Sequence, residues 1–229
     1  MPEYLSPDIF VEERESNRHT IERVSSSVAA FYGIAERGPV GVPILITSFA
    51  QFRRIFGGYI ANSHLAYAVD GFFKKVKGRC YVARVVHYTD ITDAATATAA
   101  SSLTNLVDRA ATPVETLGVK AISPGKWGDD ISAKIEAATN NPAVHFKMKV
   151  YLRGTLVDLH DDLSMDAASE NYALERINGK SEYILVEDLG SVSTAPENRP
   201  AEGLFPLTGG DDGLVDICDT DYAGSQASR

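Results

Sequence analysis

Apolar and polar side chains alternate without a break from Val144 to Leu152, with Phe146, Met148 and Val150 on one face and His145, Lys147 and Lys149 on the other. A period of two is the mark of a strand with one buried face, so this part of the chain is committed to β-sheet. Arg153-Gly154 interrupts the run, and Thr155-Leu156-Val157-Asp158-Leu159 then resumes it. Two residues ending in glycine between two such segments predict a hairpin. Leu117-Gly118-Val119-Lys120-Ala121-Ile122 and Ile131-Ser132-Ala133-Lys134-Ile135-Glu136 alternate in the same way, and Glu182 to Glu187 reads as a further strand. Asp166 is placed to cap a helix bearing Tyr172, Leu174 and Ile177. Residues 117–190 therefore predict a β-rich sandwich or barrel-like module.

The pattern before it is different. Val28 to Ala35 reads as a buried strand and Pro43 to Thr47 as a second short one, separated by the turn cluster Gly38-Pro39-Val40-Gly41. Ser48 is an N-cap for a helix whose Phe49, Phe52 and Phe56 share one face, and Gly57-Gly58 ends it. A second helix, roughly 63–76, carries Leu65, Val69, Phe72 and Phe73, and Cys80 to Val86 is a third strand. Strands alternating with helices over 21–88 predict a sheet covered by helices. Residues 89–116 are rich in Ala and Thr with little periodicity, which reads as a connector and a domain boundary. Residues 191–203 are polar, carry two prolines and read as a linker. Leu207 to Gly213 forms a tight polar turn within a last segment, 204–229. Residues 1–20 predict an extended arm: Pro2 and Pro7 oppose helix, Ile9-Phe10-Val11 favours a strand, and Glu12 to Arg18 is polar.

Charge and cysteine usage exclude some functions. Twenty-two basic residues against 31 acidic ones give a formal charge of -9. A non-specific nucleic-acid binder needs the opposite balance. Two cysteines, Cys80 in an apolar run and the remote Cys218, are no disulfide scaffold and fit synthesis in a reducing cytoplasm. No run reaches the ~18 apolar residues of a membrane span, and Met1-Pro2-Glu3-Tyr4 lacks the features of a signal peptide.

Candidate chemistry is sparse. Gly209-Gly210-Asp211-Asp212-Gly213 has the carboxylates of a calcium loop without its ligand spacing, so a glycine-dependent turn is the expectation. Ser123 to Asp130 contains Gly125 and Lys126 but not the phosphate-cradling spacing. It reads as a turn anchored by Trp127, the only tryptophan, with Gly128 beside it. None of the five histidines, His19, His64, His87, His145 and His160, lies in a short metal-ligand motif. Asp161-Asp162 is an acidic pair at a strand end. No nucleophile motif is present. No catalytic residue, cofactor or metal is expected. A hydrolase using the acidic turns and a host-binding module carried by 117–190 are the rivals from other classes.

Several segments, in order, resemble the contractile tail sheath family. The opening arm matches at Ser6-Pro7-Asp8-Ile9-Phe10-Val11-Glu12-Glu13, with Asp8 where the family has glycine. The next family run is matched by Ser26 through Pro39, and the helix after it by Ser48, Phe52, Phe56 and Gly57. Phe72-Phe73 and the strand at Cys80 follow, then the turn Gly125-Lys126-Trp127-Gly128-Asp129, with Asp129 in place of Asn. Leu207 to Gly213 and Asp221-Tyr222 resemble re-entry into the family's core domain.

The resemblance implies an α+β or α/β chain with an incomplete α/β core formed by 21–88 and 204–229. It also implies an inserted β-rich domain at 117–190 facing outward, and an absent C-terminal remainder. It implies a homo-oligomer of stacked rings, six-fold, around a tail tube protein and bounded by baseplate and tail terminator proteins. Direct nucleic-acid contact and membrane insertion are not implied. Pro7, Ile9, Phe10, Val11, Glu12 and Glu13 are the expected inter-subunit arm. Gly125, Trp127, Gly128, Gly209, Gly210 and Gly213 are the expected structural turns. The expected location is the virion tail, after synthesis in the host bacterial cytoplasm. Tailocins and phage-like injection systems carry sheaths of the same kind.

Overall fold

The computed structural model describes residues 28–76 and 78–223; the expected arm, 1–20, lies outside them. Val28–Gly33 (β1) and Ile44–Ile46 (β2) are followed by two helices, Phe49–Phe56 (α1) and Leu65–Lys75 (α2), and by Arg79–Arg84 (β3). Two helices between β1 and β3 let the chain return in the same direction, and β1 pairs parallel to β3 while β2 pairs antiparallel to it. The sheet order is β1-β3-β2.

Local chemistry sets the helices. The Ser48 hydroxyl accepts from the Gln51 amide at 3.2 Å, satisfying a first-turn donor. Gly57, at φ 86°, ends α1 in a conformation other residues resist. The spacing of three and four stacks Phe49 on Phe52 and Phe52 on Phe56, with ring centroids 5.7 and 5.5 Å apart. These rings, with Leu65, Val69, Ile46, Cys80 and Val82, form one hydrophobic core. Burial pushes the Cys80 thiol up, as befits a packing residue.

The rest of the chain supplies Leu103–Val107 (β4), Glu115–Ala121 (β5), Ile131–Ala137 (β6), Phe146–Leu152 (β7) and Thr155–Leu163 (β8). Ala173–Ile177 (α3), Ile184–Asp188 (β9), Gly203–Pro206 (β10) and Asp219–Ala223 (α4) follow. A four-stranded sheet, β10-β6-β7-β8, and a three-stranded sheet, β4-β5-β9, are antiparallel throughout. Their inner faces share a second core that includes Leu106, Leu117, Val119, Ile131, Ile135, Phe146, Met148, Val150 and Ile184. Among the described residues the architecture is a mixed α/β one with three sheets and no closed barrel. The β7–β8 hairpin turns on Arg153 (φ 51°) and Gly154 (φ 77°), two left-handed residues that match the twist of the strands.

Three features depart from the sequence expectations. The stretch expected as a connector, 89–116, contains β4, which pairs with β5. Inward positions in and just beside it are Ser102, Leu106 and Asp108, all buried, and the two polar ones hide its period. Asp108 is satisfied there by the Ser191 hydroxyl (2.6 Å) and the Val114 and Ala110 amides, and the Ser191 and Ser193 hydroxyls, aided by these amides and opposed by burial, hold its carboxyl at about 2. Second, β10 takes in the end of the expected linker and the start of the last segment, and pairs with β6 at the sheet edge. Its Pro206 lacks a donor, which an edge strand tolerates. The second core accordingly spans Leu106 to Leu207, beyond the 117–190 expected for the β-rich module. Third, Asp166 accepts from the Ala168 amide in its own turn (2.9 Å), and α3 begins later, at Ala173.

Candidate assembly surfaces

The two expected glycine turns, 84 residues apart at Gly125 and Gly209, meet in one junction. The Gly125 amide donates to Ala100 O (3.0 Å), and Ala100 and Asp211 exchange backbone bonds of 2.9 Å. Asp129 accepts from the Ser102 hydroxyl (2.7 Å) and from the Gly210 amide (2.9 Å). Asp212 accepts from the Lys126 amide (3.0 Å), and Asp211 from the Gly213 amide (2.8 Å). The carboxylates of the would-be calcium loop are thus turned to separate amides. Gly128 packs against Ser102 and Ala121, leaving no room for a side chain. Gly209 and Gly213 hold φ values of 84° and 60°.

Trp127 sits where the two cores abut. It is buried, and its indole nitrogen donates to Ser123 O at 3.2 Å. The Arg37 guanidinium lies 5.4 Å from the ring centres of both Trp127 and Tyr183, within cation–π range. The Gly38 amide donates to Ser123 Oγ (3.0 Å). Arg84, fully buried at the end of β3, donates to Pro124 O (2.7 Å) and Gly38 O (3.2 Å). Burial lowers its guanidinium to about 10, with the Asp212 charge opposing. Arg153, from the β7–β8 turn, reaches Glu36 at 2.7 Å and Asp130 at 2.8 Å. It is 63% exposed, so each pair contributes only about 0–1 kcal/mol. The buried joint, not the surface pairs, fixes the two parts together.

Among the described residues, the β1-β3-β2 sheet is covered on one face only. Ile46, Cys80 and Val82 are buried under the helices. On the other face Tyr32 is 64% and Tyr81 43% exposed, and Val28 and Leu45 are exposed beside them. Ala30 and Leu45 both stand in register with Tyr81, so these residues form one largely apolar patch, with the exposed Arg79 in register with Val28 at its edge. Among the described residues β1 is also an edge strand, with its outer backbone groups available for pairing.

Of the expected site residues, Gly125, Trp127, Gly128, Gly209, Gly210 and Gly213 all lie at this junction. Pro7, Ile9, Phe10, Val11, Glu12 and Glu13 lie outside the described residues. The acidic pair is structural: Asp161 accepts from Thr139 and pairs with Lys147 at 2.9 Å, and Asp162 accepts from the Asn140 amide at 3.0 Å. Burial works to raise the Asp161 carboxyl, but these bonds outweigh it and hold it low.

No family model and no curated protein matches the chain. Its fold has counterparts among solved structures. A sheath tail protein from Desulfitobacterium hafniense superposes with a TM-score of 0.54 over 94% of this chain at 13% identity. A sheath tail protein from Listeria innocua gives 0.57 over 86% at 16% identity. The chain shares their fold. It spans 41% and 36% of their respective lengths.

Proposed function

We propose that this chain is the N-terminal part of a structural, non-enzymatic subunit of a contractile tail sheath. Such a subunit polymerises around a tail tube and contracts to drive it through a cell envelope. The observation that carries the reading is the fold shared with two sheath tail proteins over 94% and 86% of this chain. The open apolar face of the β1-β3-β2 sheet supports it, since a soluble protein seldom leaves such a face bare. In this proposal the first core belongs to the domain that builds the sheath wall. The sandwich is an outward-facing insert, and the segment after Leu207 leads back towards β3. Copies stack as six-fold rings, in contact with a tail tube protein, a baseplate and a tail terminator, as part of a virion tail.

Residues 1–20 serve as the tie between subunits. A strand such as Ile9 to Glu12 leaves its backbone groups unpaired unless it joins a sheet, and adding it to a neighbour's edge supplies those bonds. Twenty extended residues at ~3.3 Å each reach about 66 Å, enough to cross to a neighbouring subunit. Deleting residues 1–20 from the assembling protein is expected to leave the melting temperature near normal and to abolish tubes in the electron microscope. Tubes of normal length from that variant would remove both the arm and its docking role.

A further inference from the structure

His87 follows β3 by three residues, and Cys218 immediately precedes α4. The fold brings these remote stretches together. His87 Nδ1 lies 3.0 Å from Asp221 Oδ2 across 134 positions of sequence. Cys218 Sγ lies 3.5 Å from the same oxygen. All three donor atoms fall within 4.8 Å of one another. We infer that His87, Cys218 and Asp221 form a binding site for a zinc-type transition-metal dication.

The donor chemistry selects the ion. Imidazole nitrogen, thiolate sulfur and carboxylate oxygen together suit zinc, whereas calcium and magnesium take oxygen alone. Geometry agrees. Zinc bonds of ~2.0–2.1 Å to N and O and ~2.3 Å to S, at tetrahedral angles, set N and O about 3.3 Å apart and S and O about 3.6 Å apart. The observed N···O and S···O distances of 3.0 and 3.5 Å need only small adjustments, and the N···S distance, which falls within 4.8 Å, closes to about 3.6 Å on binding. Asp221 is already oriented: its side chain is 1% exposed, and it accepts from the Tyr88 amide (3.2 Å) and the Cys218 amide (3.0 Å). Outer amides of this kind fix a ligating carboxylate.

The His87–Asp221 bond closes the site, and among the described residues the Cys218 thiol also meets Thr220 Oγ1 at 2.9 Å. On binding, the Cys218 thiol releases its proton to solvent as the sulfur–metal bond forms. His87 ligates through Nδ1 as a neutral ring, its single proton moving through solvent from Nδ1 to Nε2. One thiolate and one carboxylate then balance the dication. Cys218 is exposed, so the fourth position opens to water. The bound ion pins the segment around α4 to the end of β3.

The experiment is titration of the untagged, reduced, chelator-stripped chain with cobalt(II) and then zinc. One equivalent of cobalt is expected to produce a thiolate-to-metal charge-transfer absorption that zinc abolishes. Zinc at ~100-fold excess over its Kd is expected to raise the melting temperature by several degrees. Cys218→Ser, at an exposed position, keeps the fold, removes the absorption and weakens zinc binding at least about tenfold. Asp221→Asn weakens zinc binding as well. No absorption in the wild-type chain would overturn the site. So would an absorption that persists in Cys218→Ser, since it would then come from Cys80 or an adventitious ion.

Discussion

Phe52→Ala is expected to cost about 3–5 kcal/mol and to unfold the first part of the molecule ahead of the second. Phe52 is 1% exposed and stacks between Phe49 and Phe56. Truncation removes its transfer free energy and leaves a cavity between two rings that α1 and β2 cannot close. The first core is small, and such a loss is of the order of a whole domain's stability, ~5–15 kcal/mol. The sandwich keeps its own core, with Phe146, Met148 and Ile131 untouched. Native-state hydrogen exchange separates the two. Amides of β3 are expected to lose protection while those of β6 and β7 keep it. Equal loss in both would mean that the junction welds the cores into one cooperative unit.

Gly125→Ala is expected to cost about 2–4 kcal/mol, although it adds a single methyl group. Gly125 adopts φ 133° and ψ 157°, a region that only glycine occupies freely. An added Cβ would sit 2.7 Å from Asp212 Oδ1, 2.9 Å from Trp127 Cδ1 and 3.0 Å from the Glu36 carbonyl oxygen. A side chain can swing away, but the Glu36 backbone belongs to the first part of the molecule. The clash therefore pushes the two parts apart and disturbs Trp127, whose fluorescence reports the change. A denaturation midpoint within ~0.5 kcal/mol of wild type, with unchanged fluorescence, would show a junction loose enough to yield.

Much of the fold was legible because local chemistry and tertiary contacts agree. Ser48, the three phenylalanines and Gly57 specify α1 from its cap to its stop. The alternation from Phe146 to Leu152, followed by Arg153-Gly154, specifies a hairpin in both period and turn. Where inward positions are polar, the pattern fails. Ser102 and Asp108 face inward on or beside β4 because Asp129, Ser191 and nearby amides satisfy them, and those partners are remote in sequence. β10 is four residues ending in proline, too short for any period to show. Each glycine turn could be read as a turn. Their meeting could not, because it depends on how β10 carries the chain back across β6. His87 is a third case: it has no neighbouring ligand within its own segment, and its partner Asp221 comes from the far end of the described chain.

The proposed function, service of this chain in a tubular sheath, is open to direct test. Immunogold electron microscopy of assembled particles from producing cells, with an antibody raised against the β7–β8 hairpin, tests it most directly. That hairpin ends in the exposed Arg153 and Gly154 and belongs to the module proposed to face outward. Label is expected at regular intervals along the whole length of the tail, on extended and contracted tubes alike. Label confined to heads, fibres or tail tips, or label on particles that lack a tubular sheath, would contradict the account.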